Sequence, residues 1–588
     1  MDNQRNLILA VVLSAVLLFG WDFAMRHYFP EPEKDVPANM ASREDVPQER
    51  IAGDAVSDIA VTVDLDEAIA APGRIPIEAA EVVGSINPVG ARIDDIDLTT
   101  HRQAVEKDSG PVRLFAPAGT PGQQYAQFRW LGDGVSLPDA ETRWQVIEGD
   151  KLTQKTPVTL GWNNGAGLSF RQKFTIDDHY MINVTQTVAN TSGSTLALRP
   201  YAMIVRTDAN ASKDTFNVHS GPISAHDNAV DFGTNYKDVA NAGSVTVEGR
   251  TNWVGFTDIY WMSALIPTDG ESATSTFRSQ TRGEYQEHRG VYRAELLYAP
   301  VNLPAGQQLS RTTRLFAGAK ESAVLDMYQD QGVTKFGLAI DWGWFRFIAW
   351  PIWQVLIALF DLTKNFGVAI ILLTLIVRGI MFPIAQKQFK SMAQMRVVQP
   401  KMKALQERYK DDKAKLQEEM AKLYKEEKVN PLAGCLPIFL QIPIFFALYK
   451  TLLLSIEMRH EPFIGWIKDL SAPDPLHFLN LFGLLDFTPP GFLAIGPLAL
   501  LLGCTMYFQF KLNPSAMDPT QQQIFAFMPW IMMFVMAPFA AGLLIYWCTS
   551  NILTIAQQKY LYAKNPQMRE MAEKEAAAKA AEREKAKG

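Results

Sequence analysis

The stretch Phe366–Ile384, FGVAIILLTLIVRGIMFPI, constrains the fold more than any other part of the chain. At about 1.5 Å per residue its 19 residues reach roughly 28 Å as a helix, against a hydrocarbon core of about 30 Å. A run this apolar reads as a membrane-spanning helix, yet Arg378 interrupts it. A guanidinium at that depth costs about 2.5–3.5 kcal/mol on insertion scales, and arginine does not escape the cost by losing its proton. It needs water, a polar cavity or a partner. The other apolar stretches, 434–456, 491–510, 524–540 and 541–558, hold no Asp or Glu. That disfavours an ion pair within the membrane and makes a water-filled cavity the leading reading. The plainer reading is snorkelling, since Ile384 lies only about 9 Å further along the helix.

The segments before this helix differ from it in kind. Residues 7–21, LILAVVLSAVLLFGW, follow Arg5 and are followed by no small-x-small cleavage site. They predict a retained anchor within 1–29, with the N-terminus in the cytoplasm. Residues 30–75 are rich in Pro, Ala, Asp and Glu and predict an extended linker. Residues 76–330 change to short alternating runs between turn residues. SFRQKFTI (169–176) and YMINVTQTV (180–188), joined by Asp177-Asp178-His179, predict a hairpin inside a large all-β sandwich. Five histidines fall there, His101, His179, His219, His226 and His288, without metal or triad spacing. The three cysteines, Cys435, Cys504 and Cys548, all lie in apolar stretches, so neither a disulfide framework nor a zinc site supports the sandwich. No catalytic residue, metal or cofactor is called for.

Residues 331–363 are apolar but carry Pro351 and are flanked by Trp342, Trp344, Trp350 and Trp353. Tryptophan favours the membrane–water interface, so an amphipathic helix lying on the outer surface is expected, with a spanning helix as the alternative. The second span then covers 364–386. Residues 386–430 hold twelve Lys/Arg and seven Asp/Glu. Pro400 is expected to open one helix, and Asp411 and Asp412 to break it and cap another, making a hairpin over 387–432 with a thin apolar face. Further spans follow at 433–456, 491–510, 524–540 and 541–560, separated by a loop at 457–490 and a polar turn at 511–523. Lys450, near the far end of the third span, is expected to snorkel outward. The tail 561–588 is basic. The positive-inside rule places the hairpin and tail in the cytoplasm. The fold expected is a polytopic α-helical membrane protein of six spans, both ends inside, with the β-sandwich outside.

That topology aligns polar groups by depth. Arg378, Gln441 and Asn551 each fall about 10 Å from the cytoplasmic edge, with Thr374 one turn from Arg378 and Ser550 beside Asn551. They suggest one hydrophilic cavity open to the cytoplasm; the plainer reading is interhelical hydrogen bonding that only holds the bundle together. In the fifth span Met528, Met532 and Met536 recur at helical spacing, a flexible surface suited to many partners or simply to packing in lipid.

Three stretches together resemble the YidC/Oxa/Alb membrane protein insertase family: IVRGIMFPI (376–384), QPKMKALQERYKDDKAKLQEEMAKLYKEEKVNPLAGCLPIFLQIPIFFALY (399–449), and DPTQQQIFAFMPW (518–530) with YWCTSNILTIAQQ (546–558). The resemblance is close over roughly the last two-fifths of the chain, and the anchor with its large sandwich is similar to the type with a periplasmic domain found in Gram-negative bacteria. It implies a five-helix insertase core in the inner membrane, acting as insertase and chaperone on nascent membrane proteins in the lipid bilayer. It also implies work alone or beside the Sec translocon and its accessory subunits, with ribosomes engaging the cytoplasmic hairpin and tail. Arg378 matches the family's groove arginine. The substrate-contacting helices match the third and fifth spans, around Ile442, Pro443, Phe445, Met528 and Met532. Trp547 stands where relatives often carry a second tyrosine, and the insert 487–500 is another departure.

In the mechanism expected, a hydrophilic segment of the substrate enters the groove, its acidic residues drawn by Arg378, while its apolar segment slides into lipid. Two rivals are a small-solute transporter and a tethered periplasmic carbohydrate-active protein. The first predicts inverted halves or membrane carboxylates, the second clustered carboxylates in the sandwich. Deleting most of 76–330 separates an enzyme from an insertase.

Overall fold

The computed structural model describes residues 63–564 except 107, 213–217, 269–271, 282–284, 344, 410–411, 428–435, 486, 488, 491–492 and 513–518. The expected anchor at 1–29, most of the linker at 30–75 and residues 565–588 of the tail lie outside the described residues.

Side-chain alternation builds the first half. Along Leu168–Ile176 the apolar positions are buried and the charged ones exposed. The strand pairs antiparallel with Met181–Asn190, from Leu168 opposite Asn190 to Ile176 opposite Ile182. Asp177 closes the turn by accepting from the backbone N–H of His179 and Met181 at 3.0 and 3.1 Å. Its other oxygen accepts from the Tyr328 hydroxyl at 2.7 Å. The same logic extends into two antiparallel sheets of ten and nine strands. Phe128 and Trp130 from one and Phe170 and Phe174 from the other share a single buried core, so the unit is an all-β sandwich. Two glutamines on the inner face, Gln172 and Gln186, donate across the core to the carbonyls of Phe128 and Arg129. Amides buried this deeply are tolerated because they have such partners.

Three short helices accompany the sheets: α1 (Leu65–Ile69), α2 (Tyr236–Ala242) and α3 (Ser322–Asp330). Just before α3, Lys320 is buried and donates to the Thr257 hydroxyl at 3.0 Å. Burial pushes its amine down to about 8, although Asp258 and Asp341 nearby favour the charge. Below pH 8 folded and unfolded chains both hold this proton. Between pH 8 and the unfolded value of 10.5 only the unfolded chain binds it, so stability rises with pH across that window, by about 3 kcal/mol in all. Lys320→Met should flatten the rise in apparent melting temperature between pH 8 and 10. An unchanged slope would assign the titration elsewhere.

The second half is helical. The helices are α4 (Arg346–Thr363), α5 (Phe366–Arg408), α6 (Lys413–Glu426), α7 (Leu436–Leu454), α8 (Pro497–Leu512), α9 (Pro519–Met536) and α10 (Ala541–Lys564). By length and composition α4 and the Phe366–Phe389 part of α5 are long and apolar enough to cross a membrane. Gln441–Leu454, Pro497–Leu512 and Ala526–Met536 are shorter apolar helices. Pro351 does not break α4; it lies inside the helix as its sixth residue. Lys364 in a left-handed conformation ends α4, and the Asn365 side chain caps α5 by accepting from Val368 N–H. Phe360 and Phe366 stack across this short joint at 3.8 Å.

Pro400 likewise does not open a new helix. α5 runs unbroken through Pro383 and Pro400 for 43 residues. Each proline removes one intrahelical bond, which kinks a helix but need not end it when the residues around it favour helix. Asp412 does cap α6, accepting from Lys415 N–H at 3.0 Å. Val398 and Met402 of α5 pack against Leu423 of α6.

The two halves meet at the ends of α4 and α7. Lys450 does not snorkel: it is buried, with Nζ 3.1 Å from both Oδ2 and the carbonyl oxygen of Asp341. The link ahead of α4 delivers a carboxylate to it, which removes the reason to reach for water. Arg459 donates to the carbonyls of Arg102 and Gln103 at 2.7 and 3.1 Å and sits over the Trp261 ring.

Candidate functional site

Arg378 lies on α5 in mid-run, where its helix neighbours Leu375, Ile376 and Ile380 are exposed apolar residues. The guanidinium turns away from them. Its Nε donates to the Ser550 hydroxyl of α10 at 3.0 Å, and a terminal nitrogen reaches the same oxygen. Among the described residues no carboxylate lies within ion-pair distance of Arg378. A hydroxyl offers an acceptor but no neutralising charge, so the cation stays available to a visiting anion.

One turn before Ser550 on α10, the Tyr546 hydroxyl accepts from Gln441 Nε2 of α7 at 3.1 Å. Tyr546 also lies close enough to interact with both Arg378 and Ser550. Three helices thus bring Arg378, Ser550, Tyr546 and Gln441 into one polar cluster. Tyr546 is the member that depth matching overlooks: its ring reads as apolar, and only the three-dimensional placement turns its hydroxyl toward Gln441. The next residue, Trp547, carries no hydroxyl and packs on Phe445 at 5.1 Å.

Two residues of matching depth do not join the cluster. Thr374 is buried and its hydroxyl donates back to the Ile370 carbonyl of its own helix at 2.6 Å. Asn551, adjacent to Ser550 in sequence, points about 100° round the helix from it. Its Nδ2 donates to Thr505 Oγ1 of α8 at 3.2 Å. That bond is buried between helices, and such bonds contribute roughly 0.6–2 kcal/mol in membrane proteins. Thr505→Val should therefore lower bundle stability by about 1 kcal/mol in a denaturing-detergent titration, leaving the Arg378–Ser550 contact intact. A null shift would mean that the amide finds another acceptor.

The remaining residues of interest line the flanks. Ile442 is exposed and Pro443 lies inside α7 beside it. Met528 is half-buried on α9, and Met532 packs against the helical core formed by Leu373, Leu448, Leu502 and Leu544. That core, with Phe366, Ile370, Met458 and Ile467, fills the bundle on the side of the β-sandwich. The polar cluster of Arg378, Ser550, Tyr546 and Gln441 thus lies beside an apolar helical core.

Comparison with known proteins agrees over both halves. The YidC periplasmic domain family matches residues 74–355, and the 60Kd inner membrane protein family matches residues 358–569. The membrane protein insertase YidC of Zymomonas mobilis is 43% identical over 563 residues, covering 95% of this chain and 95% of its own. That of Nitrobacter hamburgensis is 41% identical, covering 96% of each. A crystal structure of an active YidC insertase with its first transmembrane domain resolved is 20% identical, covers 83% of this chain and 92% of its own, and superposes with a TM-score of 0.35. On identities of this size over nearly the whole length, the chain belongs to the YidC family of membrane protein insertases, inner-membrane proteins with a periplasmic domain, here the all-β sandwich.

Proposed function

We propose that the chain inserts proteins into the inner membrane and helps them fold there, using the recess around Arg378 as a hydrophilic landing site. The observation that carries this reading is a guanidinium held at mid-helix by a neutral hydroxyl, with no carboxylate within ion-pair distance among the described residues. Six spans with both termini in the cytoplasm follow from the charge bias of the loops, with α4 as an interfacial helix. In that arrangement the recess opens to the cytoplasm and the apolar helical core closes it toward the periplasm.

The physical task is to cross an apolar barrier with a polar segment. Each unsatisfied backbone group costs several kcal/mol in hydrocarbon. A substrate segment that enters the recess finds hydroxyl and amide partners in Ser550, Tyr546 and Gln441. Its acidic residues are attracted by Arg378. Its apolar segment leaves sideways along α7 and α9, past Ile442, Pro443, Phe445 and Met528, whose short helices reduce the thickness of lipid to be crossed. No bond is made or broken; the free energy comes from burying the substrate's own apolar segment in lipid. The α5–α6 hairpin and the basic tail are the cytoplasmic surfaces for ribosomes. The Sec translocon and its accessory subunits are partners for longer substrates.

The direct test is reconstitution of the purified full chain in phospholipid vesicles with a short single-span protein whose outer segment is acidic. Protease should leave a protected fragment that protein-free vesicles do not give. Equal protection in the two would overturn the reading.

A further inference from the structure

The loop between α7 and α8 presents apolar side chains to the outside. Leu484 is 83% exposed, Leu481 52% and Phe482 48%, with Phe478 and Leu485 exposed beside them. Leu481 and Phe482 both hold left-handed backbone, with φ of 50° and 60°. That conformation is unfavourable for bulky residues and persists where the surroundings compensate it. Phe482 packs edge-on against Phe478 at 4.9 Å, but among the described residues the outward faces of Leu481, Phe482 and Leu484 stay largely uncovered, so in water little offsets the strain.

The loop is built to leave water. Some of its backbone donors are satisfied within it: Leu481 N–H bonds to Phe478 O at 3.1 Å, Phe482 N–H to His477 O at 2.8 Å, and Leu485 N–H to Asn480 O at 3.0 Å. An irregular backbone stays out of the hydrocarbon region, so the loop can offer lipid only its side chains, with its backbone held at the interface. Between residues 475 and 500 the only ionisable side chains are His477 and Asp486. The base is fixed to the first turn of α8 by buried Asp474. It accepts from Trp466 Nε1 at 3.0 Å, Leu476 N–H at 3.2 Å and Leu498 N–H at 3.0 Å. α8 itself has 16 residues, about 24 Å, and so stops short of a core of about 30 Å. Its exposed Leu500 and Leu501 carry the apolar surface on from the loop.

We propose that loop 476–485 is an interfacial wedge, which buries the side chains of Leu481, Phe482 and Leu484 among the phospholipid acyl chains of the leaflet nearest the β-sandwich. It continues the apolar surface of α8 at the interface and fixes the height of that helix in the bilayer. The proposal rests on the reading of these helices as membrane spans, but not on which side is cytoplasmic.

The test replaces Leu484 with p-benzoylphenylalanine in the full chain, reconstituted in vesicles of phosphatidylethanolamine and phosphatidylglycerol and irradiated. Mass spectrometry should find a phospholipid adduct at position 484. The same probe should give one at Ile380 on α5, an exposed apolar position of a spanning helix, and none at Lys155, exposed on the sandwich. An adduct at 380 without one at 484 overturns the wedge, as does a cross-link from 484 to a second copy of the chain. No adduct at either 380 or 484 overturns the membrane reading of the helices, and the wedge with it. A companion variant, Leu484→Asp, keeps the fold of an exposed site and should expose the loop, raising protease cleavage within 476–485 by tenfold or more. Unchanged cleavage counts against the proposal.

Discussion

Replacing Arg378 by alanine should abolish insertion of a short membrane protein with an acidic outer segment, while Arg378→Lys retains a substantial part of it. The alanine variant loses the only charge of the polar cluster and leaves Ser550 Oγ without its donor. Lysine keeps the charge but presents a compact ammonium in place of a fork that reaches Ser550 through two nitrogens. The expected order is wild type, then Lys, then Ala, with Ala reduced tenfold or more. A cell depleted of its own insertase and carrying each variant reads this as growth, and protease protection reads it directly. Ser550→Ala should fall between wild type and Arg378→Ala, because it frees the guanidinium without removing it. If Arg378→Ala inserts the acidic substrate as well as wild type, charge attraction is wrong and the recess works through water and shape alone.

The second large effect is one of stability, and it separates the two halves of the molecule. In the sandwich Arg206 and Asp258 form a buried ion pair, with side chains 4% and 8% exposed. Asp258 also accepts from Ser212 N–H and the Ser220 hydroxyl, both at 2.9 Å. Asp258→Ala leaves a guanidinium buried without its counter-charge, which costs about 3–5 kcal/mol. That is a large share of a domain's stability, so the sandwich should melt roughly 6–20 °C lower. Insertion of the short substrate should stay within about twofold of wild type, because no member of the Arg378 cluster belongs to the sandwich core. Loss of insertion in step with the loss of the sandwich would instead give that domain a direct part in the process.

These two predictions differ in how far the sequence alone leads to them. The hairpin at 168–190 is legible because alternation has a period of two and Asp177-Asp178-His179 is turn chemistry. A lone arginine in an apolar run is legible too, since nothing else in the run can neutralise it. Which hydroxyl receives it is not. Ser550 is 172 positions away, and nothing local distinguishes it from Thr549, Asn551 or Thr374. Depth along a helix comes from counting, whereas direction around it depends on packing; that is why Thr374 bonds its own helix and Asn551 turns to Thr505. Lys450 teaches the same point, since its partner Asp341 lies in a link with no periodicity to mark it. The prolines misdirect for another reason. Pro400 and Pro351 are helix breakers by intrinsic preference, but each removes a single bond and the flanking residues carry the helix through.

The unbroken course of α5 has a mechanical consequence. Its first turn is tied down, with the Asn365 side chain donating to the Phe463 carbonyl at 3.1 Å and Phe366 buried against Phe360. From that fulcrum Arg378 is roughly 18 Å along the rod and Arg408 roughly 63 Å. A tilt about the fulcrum therefore moves the far end about three and a half times as far as it moves the guanidinium. A displacement of the α5–α6 hairpin by several ångströms moves Arg378 by about one. Pro383 and Pro400 are the compliant points of this lever, bending first under load, so large displacements of the hairpin are absorbed before they reach the charge.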